Sequence, residues 1–556
     1  MIRHRLSVYN PGSSCASTSL GRWFSSTMAV GFFLVTSQLA AADAFSGGTP
    51  GTPPNAGAAI TQSLVAEGLD AQMRVSDAPW LDRELTRFCA ALGRDPKPLR
   101  RALAETLYHT RTLDAIDTAR PAVFMWRKGS APLQAIIPIQ ADKRRQFVEE
   151  FGVMGSGEAP LVRVGDRDGT VIYTQNHADG LREYRLLVTD SVAFLARNAD
   201  ECRKLAARAS ILLPVVGSGS APVSLTCTGT WLRARDLLAW SWTPRLPIAQ
   251  WLPGSALMDG AQKAALGQVD SMSFEVRPSA DGKARLAVRM TATAESELAA
   301  WIATQQNQGS RLQTQMGGPE TALKISSHVV WQDKLSRIGL ALAPAQRAAR
   351  GAVWTPTVDE AWTQAFSIAE RVVDAVWSLD VPSPGRHLQM LVLEQPRGDE
   401  QLQALDRIAG AYLSQPGTPR AITGYQASVR SVPAFEGRPS LVSLLCATTR
   451  HTMMVDGWNM PDSDVLSRTE ATARRLQQVS SNISDPSVIS VWCNLGRLVR
   501  LAPGVDPEVT IPDAIVIGAL RTLGVNTLQF DVSAPLVEAA LALGHLPDEG
   551  RENRTK

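Results

Sequence analysis

The residue types that carry most enzymatic chemistry are present in this chain but widely spaced. It has seven His. His4 lies near the start, and His109, His177, His328, His387, His451 and His545 form no HxxxH, HExxH or HxH pair. A metal site would therefore have to gather its ligands from distant segments. His451 follows Arg450 in a hairpin-like stretch and is expected to be exposed. A Ser nucleophile at a strand-to-helix elbow is written GxSxG, and that pattern is absent, as is SxxK. Gly155-Ser-Gly157 and Gly217-Ser-Gly-Ser220 lack the Lys-Ser/Thr or the third glycine that a phosphate cradle needs, and read as loops.

Asp166-Arg-Asp168-Gly169 opens like a calcium loop, but the later ligands and the closing Glu are missing, which leaves a hairpin turn. The neighbouring carboxylates Glu149/Glu150 and Asp359/Glu360 diverge on a helix and cannot share one proton-transfer task. No catalytic, cofactor-binding or metal-binding residue is assigned, no cofactor is expected, and the reading leans away from an enzyme. Trp is the one enriched type with a functional use: fourteen in all, with Trp231, Trp240, Trp242 and Trp251 close together. Trp231 to Trp240 reads as a helix whose Trp231, Leu237 and Leu238 make an ordinary core face. Trp242 and Trp251, separated by a Pro-containing segment, are the candidate contact surface, since aromatic faces stack on sugars or fill protein grooves.

The elements that would position these residues are mixed. Residues 58–117 read as a small helical region, with Trp80, Leu81, Leu85, Phe88, Cys89 and Leu92 at helical spacing and Leu99, Leu103 and Leu107 after them. From Ala122 the period changes. Strands are expected at Val123–Lys128 and Leu133–Ile139, a helix at Ala141–Phe151, and a hairpin turning on Asp168-Gly169. Strands at Glu183–Thr189 and Val192–Arg197 and a helix at Asp200–Ala209 follow. A second hairpin turns on Asp281-Gly282 between the alternating Met272, Phe274, Val276 and Leu286, Val288, Met290. The Gly-rich polar stretch 307–321 reads as a linker. Beyond it, helices are expected around Leu335–Ala348 and Thr357–Glu370, the latter opened by the capping-box pattern Thr357-x-x-Glu360.

The two halves resemble each other in order. Val223-Ser-Leu-Thr-Cys227 and then Leu266–Val276 in the first correspond to Val488–Cys493 and then Leu523–Val532 in the second. Upstream, Leu133–Ile139 with its helix matches Leu388–Glu394 with a helix at Glu400–Tyr412, and Tyr184–Arg197 matches Leu441–Gly457. The expected fold class is α+β: two tandem, related modules of antiparallel sheet with packed helices, at 118–306 and 322–546, preceded by the helical region. A charged tail, 547–556, closes the chain.

The start of the chain reads as an address. Arg3, Arg5 and Arg22 precede the apolar run Met28–Val35, and Ala40-Ala41-Ala42 and Ala42-Asp43-Ala44 are small-x-small cleavage sites. Residues 1–42 are thus expected to be a signal peptide, ahead of a flexible lead-in at 43–57. The apolar run is shorter than the ~20 residues that span a bilayer, and no later stretch reaches that length. The rival reading is an organellar transit peptide, because the first 27 residues are Ser-rich and acid-free.

Losing three Arg from the 56 Lys plus Arg matches the cations to the 53 Asp plus Glu, so the mature chain is neutral and nucleic acid is not expected as a partner. The most basic run, Lys143-Arg144-Arg145, is followed by Glu149 and Glu150 and reads as a solvated helix face. Cys89, Cys202, Cys227, Cys446 and Cys493 remain; an odd set without CxxC reads as buried thiols rather than a disulfide framework. These features together describe an exported, periplasmic or extracellular protein without a membrane span in its mature chain. Its expected role is to bind or scaffold an unknown envelope protein or ligand; the alternative is an exported hydrolase with dispersed catalytic residues.

Overall fold

The computed structural model describes residues 68–127, 134–152, 161–177, 180–212, 221–234, 267–279, 283–330, 355–369, 374–394, 397–413, 415–434, 440–478, 486–501, 505–506 and 508–545. It is an α+β protein whose strands pair antiparallel. The chain divides into two compact units, one formed by the described residues before 243 with Ser273–Arg277, the other by the remainder. The division runs through one strand, β9 (Val269–Pro278).

In the first unit the strands lie side by side in the order β8 (Val223–Thr228), β1 (Leu69–Val75), β2 (Ala122–Arg127), β3 (Gln134–Pro138), β7 (Val192–Ala196), β6 (Gly180–Val188), β5 (Thr170–His177) and β4 (Val162–Arg167). Strands β3 and β7 are buried along their whole length, because both faces of the sheet are covered. On one face Phe124, Ala135, Ile137 and Leu195 pack with Phe147 of α3 (Arg144–Glu150) and with Tyr108 and Ile116. On the other, Val123, Met125, Ile136 and Phe194 pack with Cys202 and Leu205 of α4 (Ala199–Leu212). The β4–β5 hairpin turns on Asp168 and Gly169, both with positive φ (55° and 73°), the backbone that a two-residue turn between twisted strands requires. At the outer edge β4 is exposed, carries Arg163, Asp166 and Arg167, and is interrupted by a bulge between Arg163 and Gly165.

The region expected to be helical throughout holds α1 (Ala78–Ala91) and α2 (Lys97–Leu103), joined by the Arg100–Asp82 pair at 2.6 and 2.7 Å. Its first seven described positions after Gly68 are instead strand β1, paired with β2 and β8. The reason is the two-residue alternation of Leu69, Ala71, Met73 and Val75 with Asp70, Gln72 and Arg74, which suits a strand and no helix face.

In the second unit the order is β10 (Ala284–Ala292), β20 (Thr527–Ala534), β19 (Ile515–Thr522), β18 (Ile489–Asn494), β11 (Thr321–His328), β12 (Asp374–Ser383), β13 (Arg386–Glu394), β17 (His451–Trp458), β16 (Leu441–Ala447), β15 (Tyr425–Val432) and β14 (Thr418–Ile422). Val392, Leu444, Met453 and Val455 face Val465, Leu466 and Leu476 of α9 (Asp462–Gln477). The helix lies so close to β17 that a Cβ on Gly457 would meet Val465 Cγ2 at 2.4 Å. The opposite face carries α8 (Gly398–Leu413), whose Leu402 packs with Leu445 and Ala447, and α7 (Pro356–Ala369), whose Ala361 and Ala365 pack with Ala404 and Ile408. Arg430 of β15 is buried and reaches Asp406 of α8 at 2.7 Å, with Gln415 O accepting from its Nε at 3.1 Å.

Two local expectations change in this unit. Thr355, not Thr357, caps α7, its Oγ1 accepting from Val358 N at 3.3 Å, because Pro356 takes the first helical position. The stretch expected as a linker is packed: Leu312 and Met316 are buried in the core beside Met390. The expected helix at Leu335–Ala348 and the Asp281-Gly282 turn lie outside the described residues, although Ser279 N donates to Lys283 O at 2.8 Å across that turn.

His109 follows the π-helical turn Ala104–Tyr108 in a left-handed conformation (φ 55°) and is buried edge-on to Phe151, with a ring-centroid distance of 6.0 Å. Neither ring nitrogen meets a hydrogen-bond partner among the described residues. Burial holds its pKa down to about 4, so the folded chain keeps a neutral ring where an unfolded chain, at ~6.5, protonates. The unfolded state binds the extra proton, hence stability falls as pH drops from ~6.5 through about 4, by about 3 kcal/mol. His109→Phe keeps the ring packing without the titration. Its melting temperature is expected to fall less than that of the wild type between pH 7 and 4.5, and equal falls would refute the assignment.

Candidate functional site

A row of ionisable side chains lies at one end of the central strands of the second unit. Residue pairing runs His328↔Asp374, Asp374↔Glu394 and Glu394↔His451 across β11, β12, β13 and β17. Directly opposed residues in an antiparallel sheet point to the same face, so four side chains from four strands form one polar row. It shares its face with Val376, Val392 and Met453, which belong to the core under α9.

Asp374 is the centre of the row and is 2% exposed. Ser310 Oγ donates to its Oδ1, and Arg311 N–H donates to Oδ2 at 2.7 Å. His328 Nδ1 stands 3.9 Å from Oδ2. At the other end, Arg450 pairs with Glu394 at 2.6 Å, and Tyr425 Oη and His451 Nδ1 are 3.4 Å apart. His451 is buried at 7% exposure, which corrects the expectation that it is exposed: its hairpin closes inward, with Thr448 Oγ1 accepting from His451 N at 2.9 Å. Burial lowers the His451 pKa, and the nearby Glu394 carboxylate partly opposes that shift.

The segment holding Ser310 is fixed to the sheet at further points. Gln313 Nε2 donates to Ser490 Oγ at 2.9 Å, and that hydroxyl is bonded to Ser326 Oγ. Lys324 Nζ donates to Gln313 O at 3.1 Å, and burial lowers its pKa. Gly318 N donates to Thr321 Oγ1 at 2.8 Å, which in turn donates to Asp380 Oδ1 at 2.7 Å. Residues 307–321 thus form a strap held by side chains of β11, β12 and β18.

The order of groups decides what the row can do. In a nucleophilic relay the imidazole sits between the hydroxyl and the carboxylate and takes the hydroxyl proton. Here the carboxylate sits between Ser310 and His328, so the hydroxyl is anchored and not activated. Lys324 donates to carbonyls and is likewise occupied. Among the described residues no three His, Cys, Asp or Glu are arranged to hold a metal ion. The five cysteines described are buried, and no disulfide joins them. Burial pushes Cys202 up to about 11 and Cys446 and Cys493 up to about 12, which keeps them protonated and unreactive.

Trp242 and Trp251, the surface singled out from the sequence, lie outside the described residues. Sequence reasoning weighed His328 and His451 singly and missed Ser310, Asp374 and Glu394, because their meeting depends on strand register. The usable signal was weak: His328, Asp374, Glu394 and His451 each stand at a strand end. Searches against protein-family models, curated proteins and solved structures each returned no significant match.

If Asp374 holds the strap, Ser310→Ala should lower stability by about 1.5–3 kcal/mol, the usual range for a hydrogen bond to a charged group. Asp374→Ala should cost more, because it leaves the Ser310 hydroxyl and Arg311 N–H unpaired together. Urea denaturation of the full chain measures both, and wild-type midpoints in the two variants would show that the strap does not depend on this carboxylate.

Proposed function

We propose that this chain is an exported, tandemly duplicated α+β protein that acts by binding or scaffolding in the cell envelope. The observation that carries the duplication is strand order. In the first unit the strands run β8-β1-β2-β3-β7-β6-β5-β4, and in the second the corresponding strands run β18-β11-β12-β13-β17-β16-β15-β14, every strand displaced by ten. The helices keep step. α3 and α8 follow β3 and β13, and α4 and α9 follow β7 and β17. α5 (Gly229–Ala234) and α10 (Leu495–Val499) follow β8 and β18, and α6 (Glu297–Thr304) and α11 (Leu536–Leu543) follow β10 and β20. Directly after Cys227 and Cys493, Thr228 and Asn494 cap the next helix in the same way, through Trp231 N at 3.2 Å and Arg497 N at 3.3 Å. In this alignment β9 corresponds to β19, so the match of Leu266–Val276 with Leu523–Val532 is displaced by one strand. With β1 belonging to the first module, α1, α2 and the π turn fall inside it, between β1 and β2, as α7 falls between β11 and β12.

Binding is favoured over catalysis because the row around Asp374 has its hydroxyl and amine donors committed to acceptors. Export rests on the leader-like residues 1–42 and the small-residue sites Ala40–Ala42 and Ala42–Ala44 at their end. A second reading, an exported hydrolase, draws on the proximity of Ser310, Asp374 and His328. Both are tested together. The tagged chain recovered from its native cells is expected in the periplasmic or extracellular fraction, beginning at Asp43 or Phe45. It is also expected to stay unlabelled by a fluorophosphonate probe. A cytosolic chain that still begins at Met1 overturns export, and probe attachment at Ser310 overturns the binding reading.

A further inference from the structure

The row around Asp374 lies on the α9 side of the second unit, and the α8 side of the same strands carries a different, partly exposed patch. Register places Leu379–Gln389–Asp456–Ser443–Arg430 in one row across β12, β13, β17, β16 and β15. The neighbouring row is His387–Trp458–Leu441 on one side. On the other it is Trp377–Leu391–Met454–Leu445, whose last two members pack with α8. Asp456 therefore stands between Met454 and Trp458 along its own strand, and the Trp458 ring is stacked on His387, with centroids 5.9 Å apart and 18° between the planes. Gln389, Leu391, Met454, Asp456, Trp458 and His387 are each partly exposed. Leu379, Ser443 and Arg430 are buried.

One charge on this face is left without a counter-ion. Arg430 is held by Asp406 of α8 at 2.7 Å and by Gln415 O at 3.1 Å, so it is already neutralised. His387 is kept uncharged, because burial lowers its pKa. On α8, Asp399 and Arg407 are exposed and Glu400 pairs with Arg397 at 2.7 Å. α7, which packs on α8, has no basic residue. Among the described residues, β11, β12, β14 and β16 present uncharged side chains here, such as Ile325, Trp377, Ala421 and Leu445. Asp456 has the Ser443 hydroxyl as hydrogen-bond partner and no ion pair among the described residues; burial raises its pKa and the Ser443 bond opposes that shift. A carboxylate drawn partly out of water costs free energy until a cation meets it.

The surroundings select the kind of cation. An aromatic ring face attracts a positive charge, and a ligand site is commonly an apolar surface with a few polar groups that fix orientation. Leu391, Met454 and Trp458 supply the apolar part and Asp456 the polar one. A hydrated metal ion would find one carboxylate and no second acidic ligand on this face, whereas an organic cation uses both parts. We propose that this patch binds the ammonium head of a small alkylamine. Its N–H groups donate to the Asp456 carboxylate, its alkyl chain lies along Leu391 and Met454, and the Trp458 ring faces the charge. This site goes beyond the envelope-binding reading and does not depend on it.

Isothermal titration calorimetry of the full chain tests the site, with n-butylammonium chloride as the probe and n-butanol as its uncharged counterpart. The amine is expected to bind saturably and the alcohol not to bind. Asp456→Asn, which keeps the shape and a partner for Ser443, should weaken amine binding tenfold or more. Trp458→Leu should weaken it several-fold. Asp464→Asn, at an exposed position on α9, should leave it unchanged. Circular dichroism melts confirm that each variant is folded. The proposal is overturned by absence of amine binding, by equal binding of the alcohol, or by wild-type affinity in Asp456→Asn; a carboxyl group that serves only to hold Ser443 gives the first of these. Such a failure, with the chain exported and Ser310 unlabelled, removes this site and leaves the envelope-binding reading standing.

Discussion

The strands of both units are shaped by one constraint: those in the middle have no face left for water. An antiparallel sheet commonly keeps one side solvated and then alternates apolar with polar residues. Here β3, β7 and β16 are buried from end to end, so each needs cover on two sides. Helices supply that cover after the strands they protect. In the second unit the strap carrying Leu312 and Met316 adds to it where α9 does not suffice. The close approach of Gly457 to Val465 follows from the same demand, since a helix held farther off would leave a void over β17.

The strap shows how such cover is fixed in place. Two leucine-sized side chains over a flat apolar surface specify little about register. Ser310, Arg311 N–H and Gln313, meeting Asp374 and Ser490, do so by directed bonds. A buried carboxylate is costly unless its lone pairs are met, and Asp374 has them met from outside its own strand. The polar row is therefore a positional device laid into an apolar face.

What could be read from the chain was local. Asp168-Gly169 announces its turn because only small or short polar residues hold positive φ in succession, and the strands and helices from Ala122 to Leu212 follow their periods. β1 was equally legible, yet the helical pattern beginning at Trp80 drew the preceding residues into it. Thr355-Pro356 outranked Thr357-x-x-Glu360 because proline fixes the first helical residue. Ser310 and Asp374, by contrast, are joined through the pairing of β11, β12 and β18, and no local pattern encodes that join. The same holds for Arg285 and Asp531, 246 residues apart in sequence.

The outer strands have a consequence for life at high concentration. A sheet margin with free backbone groups invites a strand from another molecule, and such growth is the first step toward fibrils. β4 answers with a bulge and the charges of Arg163, Asp166 and Arg167. β14, at the margin of the second unit, is five residues long and contains Pro419, which has no N–H to offer. Among the described residues, both margins are thus poor templates for a strand from another molecule.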